Sequence, residues 1–384
     1  MRSRRILITG VSSHWGGRLA EELEHDPEVE TIIGVDPAEP TRELERTEYV
    51  RVGAQHALLR RIVLAAEIDT VIDTRLIADS AAASPRDVHE NNVIGTMNIL
   101  AACSGGGRDP NPVRKVIFKS SAHYYGAERD DPAFFTEGMQ RPHAPATRIE
   151  RDIVEAERAV RSFGARNAGI SVSVLRFVNA LGPGIRSSHT SLFSLPIVPC
   201  ILGFDPRYQF IHEEDIVGVL AHAVREDLDG IYNAAGDGVL ALSEVGGLLG
   251  KPLVPILPPW GTRLAAMPLR RVGLRVPDEV LNQLRFGRGV DNRKLKASGY
   301  RLRFTSREAV ARLAEHLRVA AVASPQTEPY RYEREVEAFL RWSPSVRNAT
   351  PHAAGELDRY EPEELARLAR LLQQVAEERE RATR

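Results

Sequence analysis

The sequence has little cysteine, which limits the kinds of scaffold it can form. Its 384 residues include two cysteines, Cys103 and Cys200, which lie far apart and outside any Cys-x-x-Cys spacing. This excludes a disulfide framework and a cysteine-based zinc site, and it is typical of proteins in a reducing compartment. We therefore predict a cytoplasmic protein that holds no metal.

The sequence also lacks a surplus of charge and any long apolar run. Lys and Arg number 51 and Asp and Glu number 52, so the formal net charge is −1. A protein that acts mainly on nucleic-acid phosphates or an anionic membrane needs a positive surplus. No apolar run approaches the ~20 residues that span a bilayer, and residues 6–8 are too short for the apolar core of a signal peptide. We expect neither nucleic acid nor membrane among the partners.

What the sequence does contain is a regular alternation of strand and helix patterns. Short apolar runs predict strands, and amphipathic stretches between them predict helices. The predicted strands are 4–9, 31–36, 70–72, 115–120 and 171–177, and the predicted helices are 15–23, 57–66, 93–103 and 149–163. Such alternation predicts right-handed crossovers and therefore an α/β fold with a doubly wound parallel sheet.

The pattern predicts three segments along the chain. Residues 1–180 form the sheet domain. Prolines and loops become frequent after about Gly182, which predicts a smaller substrate lobe over 181–325, with segments that return to the sheet domain near 205–235. Residues 326–384 form a polar tail with one amphipathic helix, whose apolar stripe is Leu365, Leu368, Leu372 and Val375. That helix either packs on its own domain or binds a partner, and both remain open.

A glycine-containing turn follows the first predicted strand and opens the first helix. Its residues are Thr9, Gly10, Ser12, Ser13 and Gly16. Glycine lets the backbone approach a pyrophosphate, and a helix N-terminus supplies free N–H groups and the positive end of a dipole. Asp36 ends the second strand, where a carboxylate can bind a ribose diol and repel a 2′-phosphate. This predicts a dinucleotide site that prefers NAD to NADP, or else a turn that needs glycine only for its conformation.

A series of motifs occurs in a fixed order between residue 4 and about residue 315. They are Thr9-Gly10 with Gly16, Asn92-Val-Ile-Gly-Thr96, Lys119-Ser-Ser121-Ala-His-Tyr-Tyr125-Gly126, Leu175-Arg-Phe-Val-Asn179, Phe210-Ile-His-Glu-Glu-Asp215 and Asp291-Asn-Arg-Lys294. In them the chain resembles the extended short-chain dehydrogenase/reductase superfamily, in its NAD-dependent epimerase/dehydratase branch, which includes UDP-galactose 4-epimerase. The resemblance implies an NAD(P)-binding Rossmann fold, NAD, a nucleotide-sugar or other small anionic ligand, and a homodimer formed through helices 92–103 and 149–163.

That family uses a Tyr-x-x-x-Lys pair on a helix with a Ser or Thr after the preceding strand, and this chain lacks the pair. Aligning Pro145 and Glu155 with the family's pattern places Thr147 in the tyrosine position and Arg151 in the lysine position. A threonine hydroxyl does not ionise near neutral pH, and an arginine stays protonated. Ser121 matches the family's serine. The catalytic set implied by the resemblance is thus an altered one.

Other residues are candidates to act in this altered site. His123 is a possible acid or base because its unperturbed pKa lies near neutral pH; the alternative is a structural or solvated loop histidine. Tyr125 is expected to pack and to make a structural hydrogen bond. Lys119 is expected to point away from Ser121 along the strand. Arg75 stands in the segment that runs beside the cofactor in the family, where it fills space or meets a phosphate.

Further positions are implied by the resemblance alone. Asn92 is placed at the cofactor, and Ser13 replaces the family's second glycine, which alters the approach of a pyrophosphate. Asn179, Arg207 and Arg288 are implied as substrate contacts, and the two guanidinium groups suit an anionic ligand.

Three functions remain open on the sequence. The first is an NAD-dependent nucleotide-sugar epimerase, dehydratase or reductase with non-standard catalytic residues. The second is a non-catalytic nucleotide or nucleotide-sugar sensor that kept the pocket. The third is a scaffold whose lobe and tail bind a protein.

Overall fold

The computed structural model describes residues 3–53, 55–104, 111–258 and 276–322, together with five positions between 336 and 343. The chain divides into two compact units, Met1–Ala320 and Ala321–Arg384. The apolar stripe predicted at 365–375 lies outside the described residues. Within the described residues, no helix combines the length and the apolarity that crossing a membrane requires.

Thirteen strands are defined in the described residues. They are β1 (Arg5–Thr9), β2 (Thr31–Asp36), β3 (Thr47–Arg51), β4 (Thr70–Asp73), β5 (Lys115–Ser121), β6 (Ser171–Phe177), β7 (Asn179–Leu181), β8 (Val198–Ile201), β9 (Arg207–Tyr208), β10 (Phe210–His212), β11 (Gly230–Ala234), β12 (Leu240–Ala241) and β13 (Leu253–Leu257). Seven of them form one sheet in the order β11-β6-β5-β4-β1-β2-β3, with every neighbouring pair parallel. The doubly wound parallel sheet predicted from the sequence is confirmed.

The helices of the described residues flank this sheet and the lobe beyond it. They are α1 (His14–Glu24), α2 (His56–Ala65), α3 (Pro85–His89), α4 (Thr96–Cys103), α5 (Arg148–Arg166), α6 (Ser188–Ser194), α7 (Glu213–Arg225), α8 (Leu242–Leu249), α9 (Asp278–Phe286), α10 (Arg293–Ala297) and α11 (Ser306–Val322). One packed set is α1 with α7, and the other is α2 with α4 and α4 with α5. Strands β4 and β5 are buried along their whole length, as a sheet covered on both faces requires.

Two predicted elements differ from the structure. The pattern at 93–103 predicts one helix, but the chain forms α3, then π-helical turns over Glu90–Gly95, and only then α4. The earlier start follows from Ser84, whose Oγ accepts the Asp87 N–H, and from Pro85 in the first turn. Strand β3 was not predicted at all. It pairs only with β2 at the edge of the sheet and buries no residue fully, so it has no apolar run to reveal it.

A second and smaller hydrophobic core lies after β6. It is built from residues between Leu181 and Ala314, among them Phe193, Tyr208 and Phe210. Three two-stranded sheets surround it, pairing β10 with β7, β12 with β9 and β13 with β8. Strand β11 returns to the edge of the main sheet beside β6. Because β7 begins two residues after the carboxyl end of β6, the second core starts at the carboxyl ends of the main sheet, where α/β folds bind ligands.

Candidate functional site

The turn after β1 is shaped by two glycines. Gly10 has φ of +83°, a conformation that favours glycine, and a Cβ atom there would lie 2.5 Å from Cγ of Arg75. A Cβ atom on Gly16 would clash with the carbonyl oxygen of Gly10. Thr9 fixes the end of the strand, since its Oγ1 donates to Asp73 Oδ1 at 3.0 Å. The close approach of β1, α1 and the end of β4 therefore depends on both glycines.

The first turn of α1 is partly capped by the chain itself. Ser13 is the N-cap residue, and its Oγ accepts the Gly16 N–H at 3.1 Å. The Ser12 N–H donates to Asp36 Oδ2 at 3.3 Å, and the Ala38 N–H donates to Asp36 Oδ1 at 3.1 Å. The N–H groups of Ser12 and Gly16, which a bare glycine turn would leave free, are thus already paired. Asp36 thus fastens the turn before α1 to the carboxyl end of β2.

A cavity of about 500 Å³ opens beside this turn. Its lining includes Gly10, Ser13 and Asp36, together with Gly53 and Arg75. A second cavity, of about 340 Å³, also contains Ser13 and Arg75 in its lining and extends from there to Ser121. The two cavities therefore meet at the side chains of Ser13 and Arg75.

Arg75 is held firmly at that meeting point. Its Nε and Nη2 donate to the two carboxylate oxygens of Asp73, each at 3.0 Å, and its Nη1 donates to Asn91 Oδ1 at 3.4 Å. The stem of Arg75 passes over Gly10 and its guanidinium lies against Gly95. Both parts of its predicted role, filling space and presenting a guanidinium to a phosphate, are compatible with this placement.

Asn92 is placed differently from the other predicted cofactor residues. It is fully buried, its Nδ2 donates to the Ile77 carbonyl at 2.8 Å, and its Oδ1 accepts the Ile77 N–H at 2.9 Å. The side chain therefore fastens the segment after Arg75 to the helical layer. It is absent from the lining of the 500 Å³ cavity, to which Asn91 contributes.

Ser121 and His123 lie together in the 340 Å³ cavity. Ser121 ends β5, and its Oγ accepts the His123 N–H at 3.2 Å. Burial lowers the pKa of His123 well below its usual value, and the nearby Arg288 and His189 add to the effect. The imidazole is therefore neutral at physiological pH and offers both a donor and an acceptor nitrogen.

Lys119 lines the same cavity, so the expectation that it points away from Ser121 is wrong. Residues two apart on a strand share a face, and Lys119 and Ser121 are two apart on β5. Lys119 is 6% exposed, and its Nζ lies 5.4 Å from the centre of the Trp15 ring. Burial lowers its pKa to about 8, against an opposing effect from Asp73.

The residues in the family's Tyr and Lys positions do not join Ser121. Thr147 is the N-cap of α5, and its Oγ1 accepts the Glu150 N–H at 3.3 Å. Arg151, in the first turn of that helix, is exposed. Neither contributes to the lining of either cavity described above. The structure gives Thr147 a capping role.

Arg207 and Arg288 come together in a third cavity of about 380 Å³. Arg207 is exposed, but Arg288 is only 6% exposed. The Arg288 Nη1 donates to the Gly126 carbonyl at 3.0 Å, while its Nη2 has no hydrogen-bond partner among the described residues. Burial lowers the pKa of Arg288 to about 10.

Asn179 lies in the 340 Å³ cavity rather than with the two arginines. Its Nδ2 is buried without a hydrogen-bond partner in the described part of the chain, and the same holds for Nε2 of His189, which lines the same cavity. Burial lowers the pKa of His189 to about 4. His189 was not singled out from the sequence, since it stands in a loop-rich stretch with no recognisable spacing to other polar residues. Unpaired buried polar atoms of this kind mark places where a ligand or water can bind.

One buried ionic cluster was missed by the sequence analysis. Arg176 on β6 is 1% exposed, and its Nε and Nη2 donate to both carboxylate oxygens of Glu157 on α5. Ser120 donates to the same carboxylate at 2.5 Å. Tyr125 adds its ring beneath Arg176 and donates to Asn233 Oδ1 at 2.9 Å, which confirms the structural hydrogen bond expected for this tyrosine. An arginine inside the apolar run of β6 was the available sequence indication.

Metal binding finds no support in the described residues. They contain no group of three or more His, Cys, Asp or Glu side chains placed to hold a metal ion.

Comparison with known proteins gives a family and a fold. Residues 6–235 match the model of the NAD dependent epimerase/dehydratase family. An uncharacterized protein of Mycobacterium tuberculosis is 31% identical over 316 residues, which cover 79% of this chain and 81% of that protein. The structure of UDP-glucuronic acid 4-epimerase from Bacillus cereus, in complex with NAD, aligns with a TM-score of 0.61 at 15% identity, covering 82% of this chain and 98% of that one. UDP-glucose 4-epimerase from Thermotoga maritima, with UDP-glucose, aligns with a TM-score of 0.61 at 17% identity, covering 83% and 99%.

Proposed function

Because this chain belongs to the NAD-dependent epimerase/dehydratase family, we propose that it binds NAD and a nucleotide sugar and acts on the sugar without the family's Tyr/Lys pair. The observation that carries the proposal is Arg288, a buried guanidinium in the third cavity whose Nη2 has no hydrogen-bond partner among the described residues. A buried charge is costly unless an opposite charge accompanies it. A nucleotide sugar brings that charge in its diphosphate.

The residues around Gly10 fit NAD. The two glycines let β1 and α1 approach each other closely, and the adjoining cavity of about 500 Å³ is lined by Asp36 at the position where a carboxylate accepts ribose hydroxyls. Arg75 lies beside this turn and can present Nη1 to a phosphate while Asp73 holds its Nε and Nη2. Thr9, Ser12, Ser13 and Gly16 complete the turn in this proposal. NAD would supply a hydride acceptor.

The second cavity suits the sugar. Its wall carries the hydroxyl of Ser121, the neutral imidazole of His123 and the unpartnered amide nitrogen of Asn179. These groups can hold sugar hydroxyls without adding charge. Arg207 and Arg288, in the third cavity, are assigned to the phosphates. UDP-glucose, found in the Thermotoga maritima structure, is the natural first probe.

Turnover tests the proposal directly. We would incubate the protein with NAD and UDP-glucose or UDP-glucuronic acid, follow the absorbance of reduced nicotinamide, and identify sugar products by chromatography. A product that forms in wild-type protein and falls in Ser121→Ala and in the His123→Ala, Ser121→Ala double variant supports the proposal. Binding of both ligands without any product contradicts the catalytic part of it.

A sensor without catalysis is the second candidate. It is favoured by Thr147, which is committed to capping α5, and by Arg151, which is exposed. Under this alternative the nucleotide-sugar site remains and the proton relay is lost. The double variant Thr147→Tyr, Arg151→Lys then gains redox activity that the wild type lacks, whereas strong wild-type activity contradicts the sensor.

We also propose that the protein is a cytoplasmic homodimer that contacts neither membrane nor nucleic acid. Ile94 and Met97, at the start of the α4 segment, are 45% and 42% exposed, which supports a contact between copies through α4 and α5. Cys103 and Cys200 are both free and buried, which fits a reducing compartment. Light scattering after size exclusion tests the dimer, and Met97→Glu is expected to shift it to monomer.

A further inference from the structure

Lys119 is a buried lysine that the family's catalytic pattern does not use. It lies on β5 two residues before Ser121, on the same face of the strand, and both side chains line the 340 Å³ cavity. Among the described residues its Nζ has no hydrogen bond and no ion pair, and it lies 5.4 Å from the centre of the Trp15 ring. Burying an ammonium group without a counter-ion is costly, so a reason within the cavity is expected.

Lys115, the other buried lysine of β5, has a structural role and serves as a comparison. Lys115 is 2% exposed, and its Nζ donates to the carbonyls of Val224 and Glu226 and pairs with Asp227 at 3.1 Å. Every donor direction of Lys115 is thus used by the protein. Lys119, four residues further along the strand, instead presents its amine to an open cavity.

We propose that Lys119 is the proton acceptor and donor for the sugar hydroxyl, in place of the absent tyrosine. This inference rests on the proposed function. Neutral Nζ takes the hydroxyl proton as the carbon–oxygen bond becomes a carbonyl, and the hydride of that carbon leaves for NAD. The resulting ammonium later returns the proton to the oxygen when the hydride comes back, so that atoms and electrons balance over the cycle. Ser121 orients the same hydroxyl.

The groups around Lys119 allow this exchange near neutral pH. Burial is the largest influence on its pKa, which lies at about 8, and the carboxylate of Asp73 on β4 opposes it. Arg75 forms an ion pair with that carboxylate at 3.0 Å. Histidines line the same cavity as Lys119. His14 of α1 is bound to Glu213 of α7, and His123, which follows β5, has a pKa lowered well below its usual value. A base whose pKa lies close to the working pH transfers protons most efficiently.

A labelling experiment tests the amine without any cofactor. Nucleotide-stripped protein is pulsed with acetic anhydride over a range of pH, and the acetylation of each lysine is measured by peptide mass spectrometry. We expect Lys119 to reach half-maximal labelling near pH 8 and UDP-glucose to slow its labelling. Lys115 is the matched control, and UDP-glucose should leave its labelling unchanged. A Lys119 that titrates with the surface lysines, or that UDP-glucose fails to protect, overturns the proposal.

Turnover with NAD and UDP-glucose gives the second measurement. Because general acid–base catalysis contributes about 10²- to 10⁴-fold, Lys119→Met should lose at least about 100-fold in kcat. Lys119→Arg keeps the charge but cannot release a proton, so it should be equally impaired. The Kd values for NAD and UDP-glucose should change far less than kcat, which also shows that the variants are folded.

The outcomes separate this inference from the proposed function. Wild-type turnover that Lys119→Met retains overturns the role of Lys119 and leaves the proposed function standing. Wild-type protein that binds both ligands and forms no product overturns the role of Lys119 and leaves ligand binding standing. Wild-type protein that binds neither ligand overturns both.

Discussion

Two buried arginines, Arg176 in the sheet and Arg288 beside the lobe, differ in their hydrogen bonds and ion pairs. Arg176 on β6 meets both carboxylate oxygens of Glu157, and its guanidinium carbon lies 3.5 Å from the centre of the Tyr124 ring. Arg288, just after α9, has one hydrogen bond to the Gly126 carbonyl, and no carboxylate of the described residues lies within ion-pair distance. Both are almost wholly buried.

The difference separates a structural charge from a charge that awaits a ligand. A buried ion is tolerated when an opposite charge and hydrogen bonds accompany it. The protein supplies the opposite charge for Arg176 through Glu157, which joins α5 to the sheet, although Nη1 of Arg176 has no hydrogen-bond partner among the described residues. For Arg288 no carboxylate of the described residues lies within ion-pair distance, and burial lowers the pKa of that group to about 10 against the opposing effects of Glu150 and Asp131. We infer that the buried charge in the sheet is balanced by the protein itself, whereas the charge of Arg288, on the side facing the lobe, is balanced by an anionic ligand.

The largest expected effect comes from breaking the ion pair of Arg176 and Glu157. Glu157→Gln leaves the Arg176 charge unmatched in the core, and removing one partner of a buried pair costs about 3–5 kcal/mol. Urea unfolding should show that loss in the free energy of unfolding. Glu155→Gln, at an exposed position of the same helix, is the control. Equal stability of the two variants would refute the structural role given to Arg176 and Glu157.

Lys119→Met is expected to stabilise the protein. The pKa of Lys119 is lowered from 10.5 to about 8, and a shift of that size corresponds to about 3 kcal/mol of penalty on the charged form. Below pH 8 the folded and unfolded chains are both protonated and the penalty is complete. From pH 8 to 10.5 the unfolded chain holds a proton that the folded chain has released, so wild-type stability rises with pH.

Urea unfolding of wild type and Lys119→Met at several pH values checks this. The gain from the substitution should be largest at pH 7 and shrink steadily above pH 8. A gain that is independent of pH would point to packing as its source.

Arg288→Met should separate stability from ligand binding. Since no carboxylate of the described residues forms an ion pair with Arg288, its replacement should leave the free energy of unfolding unchanged or slightly raised, in contrast to Glu157→Gln. Losing a charge-assisted hydrogen bond of about 1.5–3 kcal/mol should weaken UDP-glucose binding by roughly 10- to 100-fold. Chemical denaturation and calorimetry measure the two quantities. A large loss of stability with unchanged binding would reverse the distinction between the two arginines.

The smallest expected effect concerns the cap of α1. The Oγ of Ser13 accepts the Gly16 N–H, so this N–H is already bonded within the chain on the side facing the proposed ligand. Ser13→Gly frees that N–H at a cost to stability of only a few tenths of a kcal/mol. We expect NAD to bind more tightly to this variant in calorimetry. Weaker binding would mean that the serine hydroxyl itself contacts the dinucleotide.

The fold could be predicted from the sequence because its indications are local. Buried parallel strands are short apolar runs, and β2 and β6 were predicted with the bounds that the structure shows. The exception, β3, sits at an edge and needs no such run. The prediction for Lys119 failed for a different reason. Strand alternation places it on the face of Ser121, and its neighbour Ser120, which binds Glu157, is the residue that points away.

Parts of the candidate site could not be read from the sequence in any form. Whether Arg288 is paired depends on which carboxylates fold near it, and those belong to distant segments. His189 Nε2 and Asn179 Nδ2 likewise have no hydrogen-bond partner among the described residues, and this depends on how the cavity is packed. Sequence motifs identify the residue types of a site, while the unpaired atoms that indicate a ligand become visible only in the folded chain.

The most direct test of nucleotide binding is a calorimetric titration of the nucleotide-stripped protein with NAD, with NADP as the comparison. Our account predicts a micromolar Kd for NAD, weaker binding of NADP, and a marked loss of NAD affinity in Asp36→Ala, whose carboxylate lines the cavity beside Gly10. No heat with either dinucleotide would contradict it and would mean that Ser13 and Arg75 close the path between the two cavities.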